Sequence, residues 1–559
     1  MIEYSKTSKD EIFKSGNDVG NNCILMRNIA MSDKLMHTVE CAFKILILGI
    51  WTVIMIGLFV VCTVRTVDMG EFDGYFLHDS PILQFAFIAA VYVMMSVMCL
   101  LTKKYMPDNI CKWFAKNKNC IGAVVGAGVS LFLIWWISIT HYEPVSDQMH
   151  CLLHAKELLN GNNHAWTAGE YMSVYPFQNG LVFFDMLLIL LFGDNAYIAF
   201  QYVNVVFFIV SVIAIHKTCG YMFGKEKGLA VWLVLLVFYP FEIYVIYCYG
   251  TMIGFSLATL AVMFLFTYFN NRKMRYLVLC AGFITLSIII KMNYAIIFVG
   301  IILYLIYDMI IGYDAAIKSM AKNIKKGAIG LIIVIAIYVT ALKFFNVVFD
   351  NVIGYHNDGI PKIAWVAMGT HDDETKPGWF DGYAEYVYKK NGMDKEKTIQ
   401  ECMEHIGDRI VILIDEKRLI KFYYRKITSQ WEDPTWRCFD IQYIKSNTFD
   451  SPIKDTIKHE SNRVYREILN ICQTLIYFGI LLYIFMKWKN FKSLNIYELF
   501  NAVLMIGAFI FWTFWEANSS YVLPYYYLVI PYSVVGWKCV VVKTVDKLIS
   551  FKICVNKVF

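Results

Sequence analysis

Chemistry is most plausible in ITHYEPVSDQMHCLLHAKELLNG, residues 139–161. Asp147, His150 and His154 stand at i, i+3 and i+7, so they share one face of a helix expected over about 147–160. Three roles fit this acid. It can be a general base, it can cap the helix as Asp often does, or it can join the two histidines as a metal ligand. Base and cap weigh about equally. No further ligand cluster accompanies the histidines, so no metal is assigned. Leu152, Leu153, Leu158 and Leu159 would rest on lipid, giving an interfacial amphipathic helix with His150 turned toward substrate.

Four other stretches carry candidates for substrate binding. In SVYPFQNG, Tyr175, Gln178 and Asn179 stand at the entrance of a helix started by Pro176. They suit a sugar, or they satisfy backbone groups. IIIKMNYAII places Lys291 and Asn293 between two apolar segments. A lysine there needs a partner or water. A phosphate headgroup answers that need, and so does snorkelling to the interface. WTFWEANSSYVLPYYYLVIP brings Glu516 and Tyr521 to the same end of the bundle, where Glu516 either orients a cation or hydroxyl or is a solvated loop acid. SQWEDPTWRCF sets Trp431 and Trp436 beside Glu432 and Asp433. Aromatic faces next to carboxylates suit sugars, although tryptophan is also common at membrane interfaces.

The elements that must position these residues are apolar. Of 559 residues 58% are hydrophobic and 17% charged, against about half and a quarter in soluble domains. The chain reads as all-α and polytopic. Residues 1–36 are polar, so no cleavable signal peptide is expected. The 15 cysteines are scattered without a CxxC pair and read as small buried apolar residues. GYMFGKEKG is one residue short of a P-loop, and no cytoplasmic stretch is long enough for a nucleotide fold, which argues against ATP as an energy source. Nothing suggests nucleic acid or a cofactor.

Thirteen apolar segments can be marked, at 41–64, 81–102, 120–139, 177–192, 196–217, 228–247, 251–269, 276–290, 294–311, 327–346, 468–486, 496–515 and 522–541. If all crossed, four basic loops (223–228, 270–275, 318–327 and 487–495) would fall outside, against the positive-inside rule. Removing 177–192, which is short and carries Asp185, brings all four inside. About twelve spans remain, with both termini cytoplasmic and Asp147 outside. The expected layout is a cytoplasmic segment 1–40 and a transmembrane module 41–346 with a first outer loop 140–195. An extracytoplasmic region 347–467, C-terminal helices 468–541 and a cytoplasmic tail 542–559 follow.

HYEPVSD, followed by YPFQNG…LLFGDNAYIAFQYVNVV, resembles the GT-C glycosyltransferases, the integral membrane enzymes that include protein O-mannosyltransferases and lipid A aminoarabinose transferases. YCYGTMIGF, IIKMNYAIIF and WEANSSYVLPYYYLVIP are similar to segments of bacterial members. The resemblance covers about 120–345 and 496–535. It implies an external cavity roofed by surface helices and a sugar donor carried on a polyprenyl phosphate. It also implies a catalytic acid in the first outer loop, which maps onto Asp147, and a phosphate contact at Lys291 with Asn293 beside it. The sequence departs from the family in two ways. Many members have a second acid where Gln148 or Thr251 stands, and an Arg where Ser520 stands.

The resemblance thus implies a multi-pass plasma-membrane enzyme whose site faces outside. It would pass a sugar from its lipid carrier to an extracytoplasmic glycan, glycolipid or protein acceptor. An outward site has no nucleotide sugar, and a hydroxyl acceptor needs a positioned base. The rival class is a transporter or flippase of lipid-linked sugars. It predicts ionisable groups at mid-span, broken helices and paired repeats. Here the ionisable candidates gather at one end, and no repeat is visible.

Overall fold

A computed structural model describes residues 37–69, 74–140, 142–224, 228–311, 320–438 and 461–558. The polar stretch 1–36, parts of the basic loops at 223–228 and 318–327, and residues 439–460 of the region expected to be extracytoplasmic lie outside them.

The chain is an all-α polytopic membrane protein. Among the described residues, ten helical stretches are long and apolar enough to cross a bilayer. α1 (His37–Val64) leads into a short antiparallel hairpin, β1 (Arg65–Met69) and β2 (Gly74–His78). α2 (Pro81–Tyr105), α3 (Asp108–Thr140) and α4 (Asp147–Leu159) follow. α5 (Asn179–Phe192) is joined by a turn at Gly193 to α6 (Ala196–Phe223). Phe184 of α5 meets Phe200 of α6 with ring centroids 5.3 Å apart. Sixteen residues of continuous helix would set those rings roughly 24 Å apart, so the chain doubles back here.

Two segments expected to span are short, and one of them is broken. The 228–247 run divides into α7 (Gly228–Leu236) and two single turns, Tyr239–Glu242 and Ile243–Ile246. Pro240 sits at the start of the second piece, where a missing N–H and a fixed φ permit a new helical turn but not continuation of the old one. After α8 (Thr251–Asn271), α9 (Arg275–Ile290) is only 16 residues long. One of the ten, Pro176–Phe223, holds both 177–192 and 196–217, so with α7 and its two turns and with α9 the helices account for all thirteen marked segments.

α10 (Ala295–Ile311) and α11 (Met320–Ile353) complete the first bundle. Four helices follow: α12 (Lys362–Met368), α13 (Tyr383–Lys390), α14 (Lys395–Asp415) and α15 (Leu419–Trp431). α16 (Ser461–Lys489), α17 (Phe500–Phe514) and α18 (Ser519–Val558) close the chain.

Tyrosines finish the broken helices. A carbonyl freed inside a bilayer core must find a donor. Tyr527 donates to Leu235 O at the end of α7, at 2.7 Å, and Tyr525 to Asn293 O between α9 and α10, also at 2.7 Å. Tyr304 donates to Ile496 O at 3.0 Å and Tyr532 to Glu498 O at 2.6 Å. The high tyrosine content therefore has a structural use, an apolar ring in the core with a hydroxyl that satisfies an irregular backbone.

Candidate active site

Helix ends converge on one cavity of about 350 Å³. Its walls come from the start of α4, the turn before α8, the α9–α10 break, the segment before α13, the turn after α15 and the start of α18.

Asp147 opens α4. Ser146 before it adopts φ +56° and makes no side-chain cap. The Asp147 carboxylate is not the cap either. Oδ1 accepts from the Tyr171 hydroxyl at 2.9 Å and Oδ2 from the Tyr249 hydroxyl at 2.8 Å. Both donors come from outside the helix, which decides between the cap and a carboxylate aimed elsewhere. Each oxygen keeps a second lone pair, and the residue lines the cavity. Burial first, then the charge of Asp147, hold both phenols well above their ordinary pKa, so they remain donors at neutral pH.

Lys291 closes α9 in an extended conformation, φ −150° and ψ 105°. Gly180 and Gly254 allow this approach. A Cβ on Gly180 would lie 1.9 Å from Ile289 O, and one on Gly254 would lie 2.6 Å from the Tyr294 ring and 3.1 Å from Lys291 Cβ. The Lys291 ammonium rests over the Tyr249 ring, 3.3 Å from its centroid. Burial lowers its pKa to about 8, against the opposing pull of Asp147, Cys151 and Glu516. Glu516 is 5% exposed. Burial raises its pKa to about 8, Asp147 adds to the rise, and Lys426 and Lys291 oppose it. Lys426, buried on α15, is lowered to about 7 by its own burial.

The other sequence candidates divide. Asn293 and Tyr521 line the cavity beside Asp147 and Lys291. His150 stacks on the Tyr171 ring, centroids 4.3 Å apart, and so backs the phenol that holds Asp147. Gln178 donates to the Tyr249 hydroxyl at 3.1 Å. Tyr175 packs 5.0 Å from Tyr171 and donates to Glu385. Asn179 accepts from the Trp166 indole at 3.0 Å. Those last four residues do not line the cavity.

The structure places Trp431 and Glu432 away from the cavity. Both are buried, at 1% and 0% exposure, and neither lines the cavity. The Trp431 carbonyl accepts from Gln473 at 2.6 Å and Tyr477 at 2.9 Å. The lipid contact expected of α4 is also corrected in part. Leu158 is buried, and Cys151, Ala155 and Leu158 pack with Leu181, Val182 and Leu188 of α5. Among the described residues no group of three His, Cys, Asp or Glu could hold a metal ion, and His154 Nδ1 is engaged by Glu157 at 2.9 Å.

The structure adds residues that the sequence did not single out. Lys376, Trp379 and Phe380 form one wall, and Arg437 lies near them. The Arg437 guanidinium rests on the Trp379 ring, 5.4 Å from its centroid. Its Nε is buried with no hydrogen-bond partner among the described residues. Trp436 and Arg437 take φ of +52° and +57°, a costly pair of left-handed residues. Asp433 holds this turn together. Its carboxylate accepts from Thr435 N at 3.0 Å, Arg437 N at 3.1 Å and the Ser519 hydroxyl at 2.7 Å. The signal lay in SQWEDPTWRCF. The stretch was the right one, but Arg437 reaches the cavity and the first Trp–Glu pair does not.

Gln148, next to Asp147, is engaged through both atoms of its amide. It donates to the Tyr142 hydroxyl at 3.0 Å and accepts from Cys248 N at 2.8 Å. It ties α4 to the turn before α8.

No family model matches the sequence, and no curated protein matches it. Among solved structures, the chain matches the crystal structure of the Archaeoglobus fulgidus oligosaccharyltransferase tethered to an acceptor peptide containing the NVT sequon. The match has 12% identity and a TM-score of 0.39, over 76% of this chain and 50% of that one. The chain spans about half the length of that structure.

Proposed function

We propose that this protein is a GT-C-like glycosyltransferase that uses a polyprenyl-phosphate sugar as donor and an extracytoplasmic hydroxyl as acceptor. The observation that carries the reading is that Asp147 and Lys291 line the same cavity, Asp147 at the hydroxyl of Tyr249 and Lys291 over the face of its ring. Such an arrangement offers a base to one reactant and a cation to the other.

In the proposed step the acceptor oxygen attacks the anomeric carbon and its proton passes to Asp147. The bond from that carbon to the phosphate oxygen breaks, and the lipid phosphate leaves with the electron pair. Lys291 and Arg437 stabilise the charge that develops on it, and the Asn293 amide lies within the same wall. Direct displacement with a single base inverts the anomeric configuration.

The distribution of basic loops supports a site on the outer face of the plasma membrane. The described helices between α11 and Cys438 then lie on the outer side, where Lys376, Trp379, Phe380 and Arg437 complete the cavity.

The test is transfer from a mass-tagged polyprenyl-phosphate sugar by full-length protein in lipid nanodiscs. Asp147→Asn should lower turnover by about 10²- to 10⁴-fold while the protein still inserts and elutes as the wild type does. Unchanged turnover refutes the base. Retained configuration in the product refutes single displacement.

A further inference from the structure

The wall carrying Lys376, Trp379 and Phe380 belongs to a loop closed across its own ends. His371 Nδ1 faces the Asp381 carboxylate, and Gly378 N donates to His371 O at 2.8 Å. Nearer the cavity, Ala517 N donates to Gly378 O at 2.7 Å and the Trp379 indole donates to Ser429 at 2.8 Å. Phe380 lies between these two anchorages, 52% exposed. The outer anchorage is completed by α14, where His405 Nε2 lies 2.8 Å from His371 Nε2.

Two facing imidazole nitrogens at that distance share one proton. A neutral or singly protonated pair bonds, because one ring donates and the other accepts. A doubly protonated pair presents two donors and two positive charges, and the contact fails. Asp381 accepts from His371 Nδ1, which leaves His371 Nε2 to face His405.

We propose that His371 and His405 form a proton-sensitive clamp that positions Phe380 and Lys376 on the cavity wall and releases them when both rings are charged. The two histidines are positioning residues. Tyr383 of α13 stacks on His405, centroids 4.5 Å apart, and meets His371 edge-on at 4.8 Å. Asp372, next to His371, is paired to Arg418 and lies 3.8 Å from Arg425. On α14, Asp408 favours charge on His405, as Asp381 does, while Arg409 opposes it and Glu401 is engaged by Lys390. Burial, then His371 and Arg409, hold the His405 pKa below its ordinary 6.5. The sign follows. A lowered folded pKa gives stability that is fully present above 6.5 and is lost as pH falls, so the clamp is closed at neutral pH and opens in acid.

The test is hydrogen–deuterium exchange of the peptide spanning 376–383 in the full-length protein in nanodiscs, corrected for intrinsic exchange. Between about pH 7.5 and about pH 5, wild-type protection should fall about tenfold or more. His405→Gln keeps an uncharged donor toward His371 and should hold its protection at both values. A wild type with no fall overturns the clamp, whatever the variant does. An equal fall in His405→Gln overturns it too. The readout involves no sugar transfer, so Asp147→Asn should respond as the wild type does, and the clamp and the proposed transfer stand or fall separately.

Discussion

The ammonium of Lys291 lies against the face of Tyr249, 3.3 Å from the ring centroid. No direct ion pair joins Lys291 to Asp147 among the described residues. The ring keeps an opposite-charge pair apart, and each member retains capacity for a ligand. Cation–π contact is worth about 0.5–2 kcal/mol, much less than the cost of leaving a buried ammonium without company.

Tyr249→Phe separates the two functions of that ring. The face remains for Lys291 and the donor to Asp147 is lost. Hydrogen bonds to charged groups contribute about 1.5–3 kcal/mol, so transfer should fall about 10- to 100-fold with folded yield unchanged. Tyr171→Phe should do the same, and the double variant should lose less than the product, because the two phenols orient the carboxylate as a unit and loss of one already forfeits part of what the other contributes. Steady-state transfer rates of the three variants check this.

Arg437→Ala should raise the KM for the lipid-phosphate donor by about tenfold or more, with a smaller effect on the acceptor KM, since guanidinium–phosphate pairing is charge-assisted. Arg437→Lys should recover part of the loss. The strain at φ +57° is common to both replacements, so the difference between them reports on the head group. Equal donor KM values in all three proteins would remove Arg437 from phosphate binding.

Glu516 makes stability depend on pH. Its folded pKa lies near 8 against an ordinary 4.5. The neutral carboxyl therefore contributes stability that is full below 4.5 and is lost as pH rises through about 8. Wild type should show a lower thermal midpoint at about pH 9 than at about pH 6.5. Glu516→Gln should show a smaller drop. The difference between the two proteins is the quantity to compare.

Gly180→Ala places a Cβ 1.9 Å from Ile289 O, whereas Gly282 on α9 has nothing within 4 Å. Gly180→Ala should displace the α9–α10 break and lower both folded yield and transfer. Gly282→Ala should be neutral or stabilising by up to about 1 kcal/mol. Size-exclusion profiles and thermal midpoints of the two variants decide it.

Run length and hydropathy were enough to read the apolar helices, apart from the break inside 228–247, and residue spacing gave α4 almost to its ends, whereas α12–α15 carried no such signal. The position of Asp147 followed from an acid just past an apolar run, and Lys291 from the cost of a lysine inside one. Other features needed three dimensions. Trp431 and Arg437 are six positions apart in one motif, yet one is core and the other faces the cavity. Their fates are set by a left-handed turn around Asp433, which no periodicity announces. Tyr171 and Tyr249 drew no attention as partners of Asp147, because tyrosine is common throughout this chain and its contacts here are far apart in sequence.

The cavity takes its last wall from Asn518, Ser520, Tyr521 and Tyr525, at the head of the final helix. Asp147 is synthesised hundreds of residues earlier. A chain emerging from the ribosome therefore has its carboxylate in place long before it has an enclosure around it, and the chamber closes only when α18 docks. A protein truncated before that helix should keep most of its membrane anchors and still lack a closed reaction chamber.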